Sequence, residues 1–424
     1  MPSRRRLIAS GIGVAALGAA VLSRPSDEGR PHDGYFTRLQ AGLRAAGIAQ
    51  PTIVVDRERF MRNLARIAQR AGSQGMPLRV VVKSLPAFAL VDAALGTWRS
   101  ERAMLFNAGQ LMQVARERPA AKMLLGKPLP ATAAQHVIAN AAASQDRIEW
   151  LVDTPTRLQQ YRELARAARL PLKLNIEIDV GLHRGGVESA DELARMLAMI
   201  RDEPLLRWSG FMGYDAHVTG VPDIADGRRK AADTARERYA AMWRVAQQVL
   251  PAQAVREALT LNTGGSPTYH LHDRRGLPNE VAVGSAALKP ADFDTPSLAD
   301  LEPAVFIATP VLKDLGDFRL PEGAGVISSL ARRWDPNQAR GLAIHGGDWN
   351  AVPVSPAGVA PSRLFGPSSN QQVMVASAHA GLAPDDFVFF RPRHSEAVLL
   401  HFGDIAMVEH GRVVQMAPVF PASA

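Results

Sequence analysis

The sequence predicts an α/β fold, a (β/α)8 barrel followed by a mostly β C-terminal domain. Three observations predict it. From about residue 79, short β-rich apolar runs alternate with longer Ala/Leu/Arg-rich segments of helical period. About eight such pairs fill roughly 210 residues, the span such a barrel needs. From about Ala304 the long helical segments stop while strand-like runs continue, punctuated by Pro and Gly.

The elements follow in order. Pro51–Asp56 reads as a strand and Arg57–Ala71 as a helix. The barrel strands are expected at Leu78–Ser84, Ala103–Asn107, Ala121–Leu125, Ile148–Asp153, Leu172–Asp179, Trp208–Tyr214, Ala258–Thr263 and Glu280–Gly284. Helical periodicity marks Ala87–Thr97, Ala108–Glu117, Ala131–Ala142, Thr156–Ala168, Ala190–Asp202 and Arg228–Val249, with capping signals at Thr154 and Ser189. Strands alternating with helices imply a parallel sheet buried on both faces. A doubly wound open sheet satisfies the same pattern and stands as the alternative. In the C-terminal part, strands are expected at Val305–Leu312, Gly325–Ser329, Arg340–Ile344, Gln372–Ala376, Phe387–Phe390, Ala397–Phe402 and Ile405–Val408, with a hairpin turn at His410-Gly411-Arg412. The barrel domain therefore spans 50–303 and the β-domain 304–424.

Composition narrows the function classes. The 424 residues are 47% apolar and 21% charged, with a formal charge of +8. That charge comes mostly from arginines scattered through amphipathic stretches. No basic run extends beyond Arg4-Arg5-Arg6 and no aromatics interleave with one, so nucleic acid is not an expected partner. The chain has no Cys, which excludes disulfides, thiolate metal sites, a Cys nucleophile and lipidation at a Cys. Residues 1–30 read as a signal or anchor segment. Paired arginines precede a short Ala/Gly-rich apolar run from about Leu7 to Leu22, and a polar exit follows. This is the pattern of export through the twin-arginine machinery to the periplasm. No small-x-small cleavage site is visible, so an uncleaved membrane anchor is the alternative.

Three constellations carry chemistry. Arg79-Val80-Val81-Val82-Lys83 places a lysine at the C-terminal end of the first barrel strand, the face on which barrel active sites are built. An amine there is a nucleophile for an aldehyde, or else a lysine reaching solvent from a strand end. Thr263-Gly264-Gly265-Ser266 follows the seventh strand and Gly284-Ser285 the eighth. Barrels commonly hold phosphate with these two loops, where glycines admit backbone N–H groups to the anion. Glu177–Gly186 crowds polar groups and glycines at the end of the fifth strand, and the sixth ends in Tyr214-Asp215-Ala216-His217.

These residues resemble the fold-type III pyridoxal phosphate (PLP) enzymes, in particular the D-threonine aldolase and D-serine dehydratase group with its alanine racemase-like fold. Lys83 sits where that family's Schiff-base lysine sits. Glu177–Val187 is similar to its Asp-x-Gly-x-His-Arg-x-Gly-Val motif, and Tyr214 with His217 to its Tyr-x-Gly-His. The resemblance covers about residues 50–424. It implies that Pro51–Asp56 joins the C-terminal β-domain and that PLP is held by Lys83, His183, Arg184, Tyr214, Thr263, Gly264, Gly265, Ser266, Gly284 and Ser285. It further implies that Lys83 and His217 are catalytic, that a divalent cation (Zn or Mn) binds His394 and Glu396, and that the protein is a homodimer. The implied activity is that of a lyase for D-β-hydroxy amino acids. An amino-acid racemase and a non-catalytic PLP-binding protein are the alternatives. The sequence departs from the family's pattern at Val80 and Val81, at Ala216, at Ala286 and at Ser368–Gln372, where an acidic-His segment is usual.

Overall fold

The computed structural model of the chain describes residues 24–323, 332–396 and 398–421. Most of the leader and the strand expected at Gly325–Ser329 lie outside them. Among the described residues no helix is long and apolar enough to cross a membrane. The chain divides into two compact units, one built from Val55–Val305, Arg393–Met407 and Met416–Ala424, the other from the rest.

Ahead of the barrel come α1 (Gly34–Ala45), β1 (Thr52–Asp56) and α2 (Arg57–Ser73). The side chains of Asp33 and Asp56 cap the two helices by accepting the N–H of Phe36 and Arg59. Eight parallel strands then close into a barrel in chain order: β2 (Leu78–Val81), β3 (Arg102–Leu105), β4 (Lys122–Leu125), β5 (Ile148–Val152), β6 (Leu172–Glu177), β7 (Leu206–Gly213), β8 (Thr260–Thr263) and β9 (Glu280–Val283). β9 pairs with β2, so the sheet has no edge and the open-sheet alternative is excluded.

The covering helices are α3 (Phe88–Trp98), α4 (Ala108–Glu117), α5 (Ala131–Asn140), α6 (Pro155–Ala168), α7 (Ala190–Arg201), α8 (His217–Gly220), α9 (Gly227–Val249) and α10 (Ser285–Leu288). Local chemistry sets their ends. Asn107, Thr154 and Ser189 cap α4, α6 and α7, and Pro155 opens α6 at a position where its missing N–H costs nothing. Gly210 in β7 has φ +139, and a Cβ there would lie 1.9 Å from the Thr260 carbonyl oxygen, so the bulged register between β6 and β7 requires glycine.

Period-two alternation sends Arg79 into the barrel, where it is 1% exposed against Glu280 at 2%. The pair is bidentate, at 2.5 and 3.0 Å. Arg79 Nη1 also donates to the carbonyls of Ala103 and Lys122, and Asn262 Nδ2 donates to Glu280 Oε1. Five barrel strands thus converge on one buried ion pair.

The second unit is a nine-stranded sheet of order β13-β14-β11-β10-β1-β16-β17, with β12 and β15 off this path. Its later strands are β10 (Val305–Asp317), β11 (Arg340–His345), β12 (Ala351–Ser355), β13 (Val359–Pro361), β14 (Gln371–Ala376), β15 (Phe387–Pro392), β16 (Ile405–Glu409) and β17 (Arg412–Ala417). β1 sits between β10 and β16, so the early strand does join the β-domain. Two expectations fail. The described part of the strand expected at Ala397–Phe402 is turned, because the Val398 and Leu399 amides bond back to the Ser395 carbonyl instead of a neighbouring strand. Arg393–Met407 also belongs with the barrel, across the boundary expected at 303/304.

A buried charge stripped of its partner is costly. Glu280→Gln leaves the Arg79 guanidinium without its counter-ion and should lower stability by roughly 3–5 kcal/mol in urea unfolding.

Candidate active site

The alternation that buries Arg79 continues upward. Val81 and Lys83, Met104 and Phe106, Met212 and Tyr214, Asn262 and Gly264, and Ala282 and Gly284 all face one pocket of about 670 Å³ that opens to solvent at the C-terminal end of the strands. Lys83 stands on the 3-10 turn Val82–Ser84 that follows β2. Its Nζ lies 3.4 Å from Glu396 Oε1 and 4.5 Å from the centroid of the Phe106 ring. Gly126 makes room for that ring, since a Cβ there would meet Phe106 Cζ at 2.3 Å.

Glu396 is wrapped in hydroxyls. Ser84 Oγ donates to its Oε1 at 2.9 Å, and Ser285 Oγ lies 3.4 Å away. Ser285 in turn bonds Ser84 at 3.0 Å and Ser395 at 2.8 Å. Burial pushes the Glu396 carboxyl up, but the Lys83 charge, its own backbone N–H and Ser84 outweigh that and hold it below the usual range. At neutral pH the group that faces Lys83 is therefore a carboxylate.

The two glycine loops form an adjoining wall. Ser266 Oγ accepts the N–H of Gly284 at 3.2 Å and of Ala286 at 3.0 Å, lacing the loops together. A Cβ on Gly265 would come within 2.6 Å of the Tyr214 ring, so glycine lets this backbone reach the pocket. The Arg184 guanidinium lies 4.8 Å from the centroid of that ring. Burial raises the Tyr214 hydroxyl above its ordinary pKa, so it is a neutral donor.

Of the residues expected to hold a cofactor, Lys83, Arg184, Tyr214, Gly264, Gly265, Ser266, Gly284 and Ser285 line this pocket. Thr263 does not, because its hydroxyl donates to the Gly213 carbonyl at 2.9 Å. His183 turns away and is 58% exposed, with Nδ1 2.6 Å from Asp179 Oδ2. The Asp179 carboxylate, closing the 179–183 turn through the amides of Gly181 and His183, draws the ring to itself. His217 lies behind Gly181 and does not line the pocket either. Its Nδ1 is buried without a hydrogen-bond partner, and burial lowers its pKa.

The pair His394 and Glu396 is also separated. β15 ends at Pro392, so the two do not alternate along a strand. His394 Nε2 turns to Asp292 at 3.1 Å while Glu396 turns to Lys83. Among the described residues, the one three-donor group with ligand atoms within 4.8 Å of one another is Asp179, His183 and Glu188, and it contains neither.

Sequence reasoning passed over Phe106, Met212, Asn262 and Ser84, all of which line the pocket. Counting by twos along each strand from Lys83 would have found the first three. It gave no role to Asp215, Thr268 or His272, which are joined behind the glycine loop.

This is a closed barrel whose C-terminal face brings a lysine amine together with two laced glycine loops in one pocket. The family model of the alanine racemase N-terminal domain matches residues 55–290, and the chain belongs to that family. It is 23% identical over 271 residues to the 3-hydroxy-D-aspartate aldolase of Paracoccus denitrificans, covering 61% of this chain and 65% of that one, under two thirds of its length. It is 27% identical over 321 residues to the D-threonine aldolase of an Arthrobacter species, covering 70% and 77%. The crystal structure of the D-threonine aldolase from Filomicrobium marinum superposes with a TM-score of 0.71 at 20% identity, covering 88% of this chain and 95% of that one. That superposition shows the shared fold.

One further carboxyl is strongly perturbed. Burial, and next the charge of Asp153, push Glu177 at the end of β6 up to about 7. The unfolded chain ionises this carboxyl near its ordinary 4.5, so its contribution to stability falls as pH rises from there through about 7. Glu177→Gln should therefore raise the melting temperature more at pH 8 than at pH 5.

Proposed function

We propose that the pocket holds pyridoxal 5'-phosphate and that the protein is a lyase for D-β-hydroxy amino acids. The observation that carries the reading is a single pocket that brings the Lys83 amine together with two laced glycine loops. The donor set fits the group. The amine suits an aldehyde. The backbone of Gly265 and Gly284 approaches where no side chain could, and the hydroxyls of Ser266 and Ser285 sit beside it. A Cβ at Gly284 would lie 2.8 Å from Ser84 Cβ and fill the space between the loops and Lys83. Relatives named for aldolase and dehydratase activity on D-hydroxy amino acids support the choice of reaction.

When bound, the cofactor supplies an electron sink for negative charge that develops on the substrate. Lys83 would hold it through Nζ and the two loops would hold its phosphate, with Arg184 and neutral Tyr214 in the same pocket. Glu396, 3.4 Å from the Lys83 amine, would orient that amine and share its proton during proton transfer. Ser84 and Ser285 keep the Glu396 carboxylate pointed at that amine. Phe106, Met104, Met212 and Phe293 supply apolar wall that keeps water from the reacting atoms. No step is assigned to His217 or His183, which lie outside the pocket.

Assays of the purified protein with D-threonine, D-serine and D-alanine, with and without Mn²⁺ or Zn²⁺, test the reading. Glycine plus acetaldehyde, or pyruvate plus ammonia, is the expected product pattern. Racemised alanine with neither pattern contradicts it, as does no turnover at all. Activation by a cation would show that a metal takes part in the reaction. Glu396→Gln should lower kcat by roughly 10²–10⁴ while the protein still binds cofactor.

Export through the twin-arginine route belongs to the same proposal, on the strength of Arg4-Arg5 and the apolar run after them. That machinery carries folded, cofactor-loaded proteins. Replacing both arginines by lysine should retain the protein in the cytoplasm. A homodimer rests on the resemblance alone.

A further inference from the structure

The glycine loop that would carry the phosphate is pinned from behind by three residues that the reaction itself does not use. Asp215, just after β7, is 2% exposed, and Thr268 is 0% exposed. Thr268 Oγ1 donates to Asp215 Oδ1 at 2.6 Å and accepts the Gly265 N–H at 3.1 Å. His272 Nε2 lies 2.8 Å from the other carboxylate oxygen, Oδ2. The turn is completed by the Thr268 and Tyr269 amides, both bonded to the Gly265 carbonyl at 2.9 and 2.8 Å. Gly264, at φ +70, lies against His272, whose Cδ2 would be 3.3 Å from a Cβ there.

The loop has two faces. Gly264, Gly265, Ser266 and Pro267 line the Lys83 pocket. Asp215, Thr263 and His272 line a separate cavity on the outer side, which holds about 1350 Å³ open to solvent. A carboxylate buried directly behind an anion cradle would repel a phosphate unless its charge were met. Here it is met. Burial pushes the Asp215 carboxyl up, but the hydrogen bond and charge of His272 and the hydroxyl of Thr268 outweigh it and hold it below the usual range. The carboxylate fixes the direction in which Thr268 donates, which leaves the hydroxyl's lone pair for the Gly265 amide. His272 holds the second carboxylate oxygen at 2.8 Å, so both oxygens of Asp215 have a partner.

We propose that Asp215, Thr268 and His272 are positioning residues that set the protein's affinity for the phosphate arm of its cofactor. The proposal rests on the PLP reading of the pocket and deepens it. A residue that merely supported the fold would weaken binding of every aldehyde alike. A brace of the phosphate loop weakens only the phosphorylated one.

The test uses the full chain freed of cofactor, titrated separately with pyridoxal phosphate and with pyridoxal, with binding followed by visible absorbance. Wild type should bind the phosphorylated aldehyde far more tightly. Thr268→Val should weaken pyridoxal phosphate roughly 10- to 100-fold, the loss of one or two buried hydrogen bonds, while pyridoxal changes by less than about twofold. Thr268→Ser restores the hydroxyl and should bind as wild type does. His272→Ala, at the rim of the outer cavity, should act in the same direction as Thr268→Val and carries the test should that variant fail to fold. Equal losses for both aldehydes, or wild-type phosphate affinity in Thr268→Val and His272→Ala, overturn the brace. A wild-type protein that captures pyridoxal but gains nothing from the phosphate overturns the phosphate reading of the loops beneath it.

Discussion

Arg79 and Glu280 meet inside the barrel almost wholly cut off from water, and the geometry of the mouth depends on that meeting. Two charges with no solvent must satisfy each other and every remaining donor, so the guanidinium also takes the carbonyls of Ala103 and Lys122 while Glu280 takes Asn262. The first and last barrel strands carry the pair, which ties closure of the sheet to one bidentate contact. Four residues beyond Arg79, on the turn that follows the same strand, stands Lys83, and two residues beyond Asn262 begins the glycine loop. The two halves of the pocket are thus hung from one buried network.

Above it two carboxylates each meet a partner. Glu396 comes from the turn after β15 and meets the Lys83 amine, with Ser84, Ser285 and Ser395 filling out its hydrogen bonds. On the opposite side Asp215 is answered by His272. One carboxylate attends the amine and the other the anion loop, so each functional group has its own partner. Each partner is held on the acidic side of its ordinary range by its neighbours.

Much of this was legible in the sequence. Strands buried on both faces read as β-branched runs, and their alternation with helices led to the closed barrel. Lys83 at a strand end and the glycines after the seventh and eighth strands marked the pocket because their residue types are rare at such positions without cause. The contacts between residues far apart in the chain were not legible. Nothing near His394-Ser395-Glu396 says that the chain turns there, and the resemblance implied one cation on both side chains when they face different partners. His183 looked like a pocket residue from its motif, yet the local pull of Asp179 four residues earlier decides its orientation. The short strands β12 and β13, with exposed or half-buried residues and prolines at Pro353 and Pro361, carry too weak a pattern to stand out. Helix α1 was passed over although Leu39 and Leu43 bury one face of it.

The central claim is that Lys83 is the residue that captures the cofactor. Borohydride reduction of the loaded protein freezes any such linkage in place, and peptide mass spectrometry then locates it. A phosphopyridoxyl group on Lys83 as the dominant product is the predicted result. The same group on other lysines with Lys83 unmodified, or no adduct on a protein that binds the aldehyde, contradicts the account.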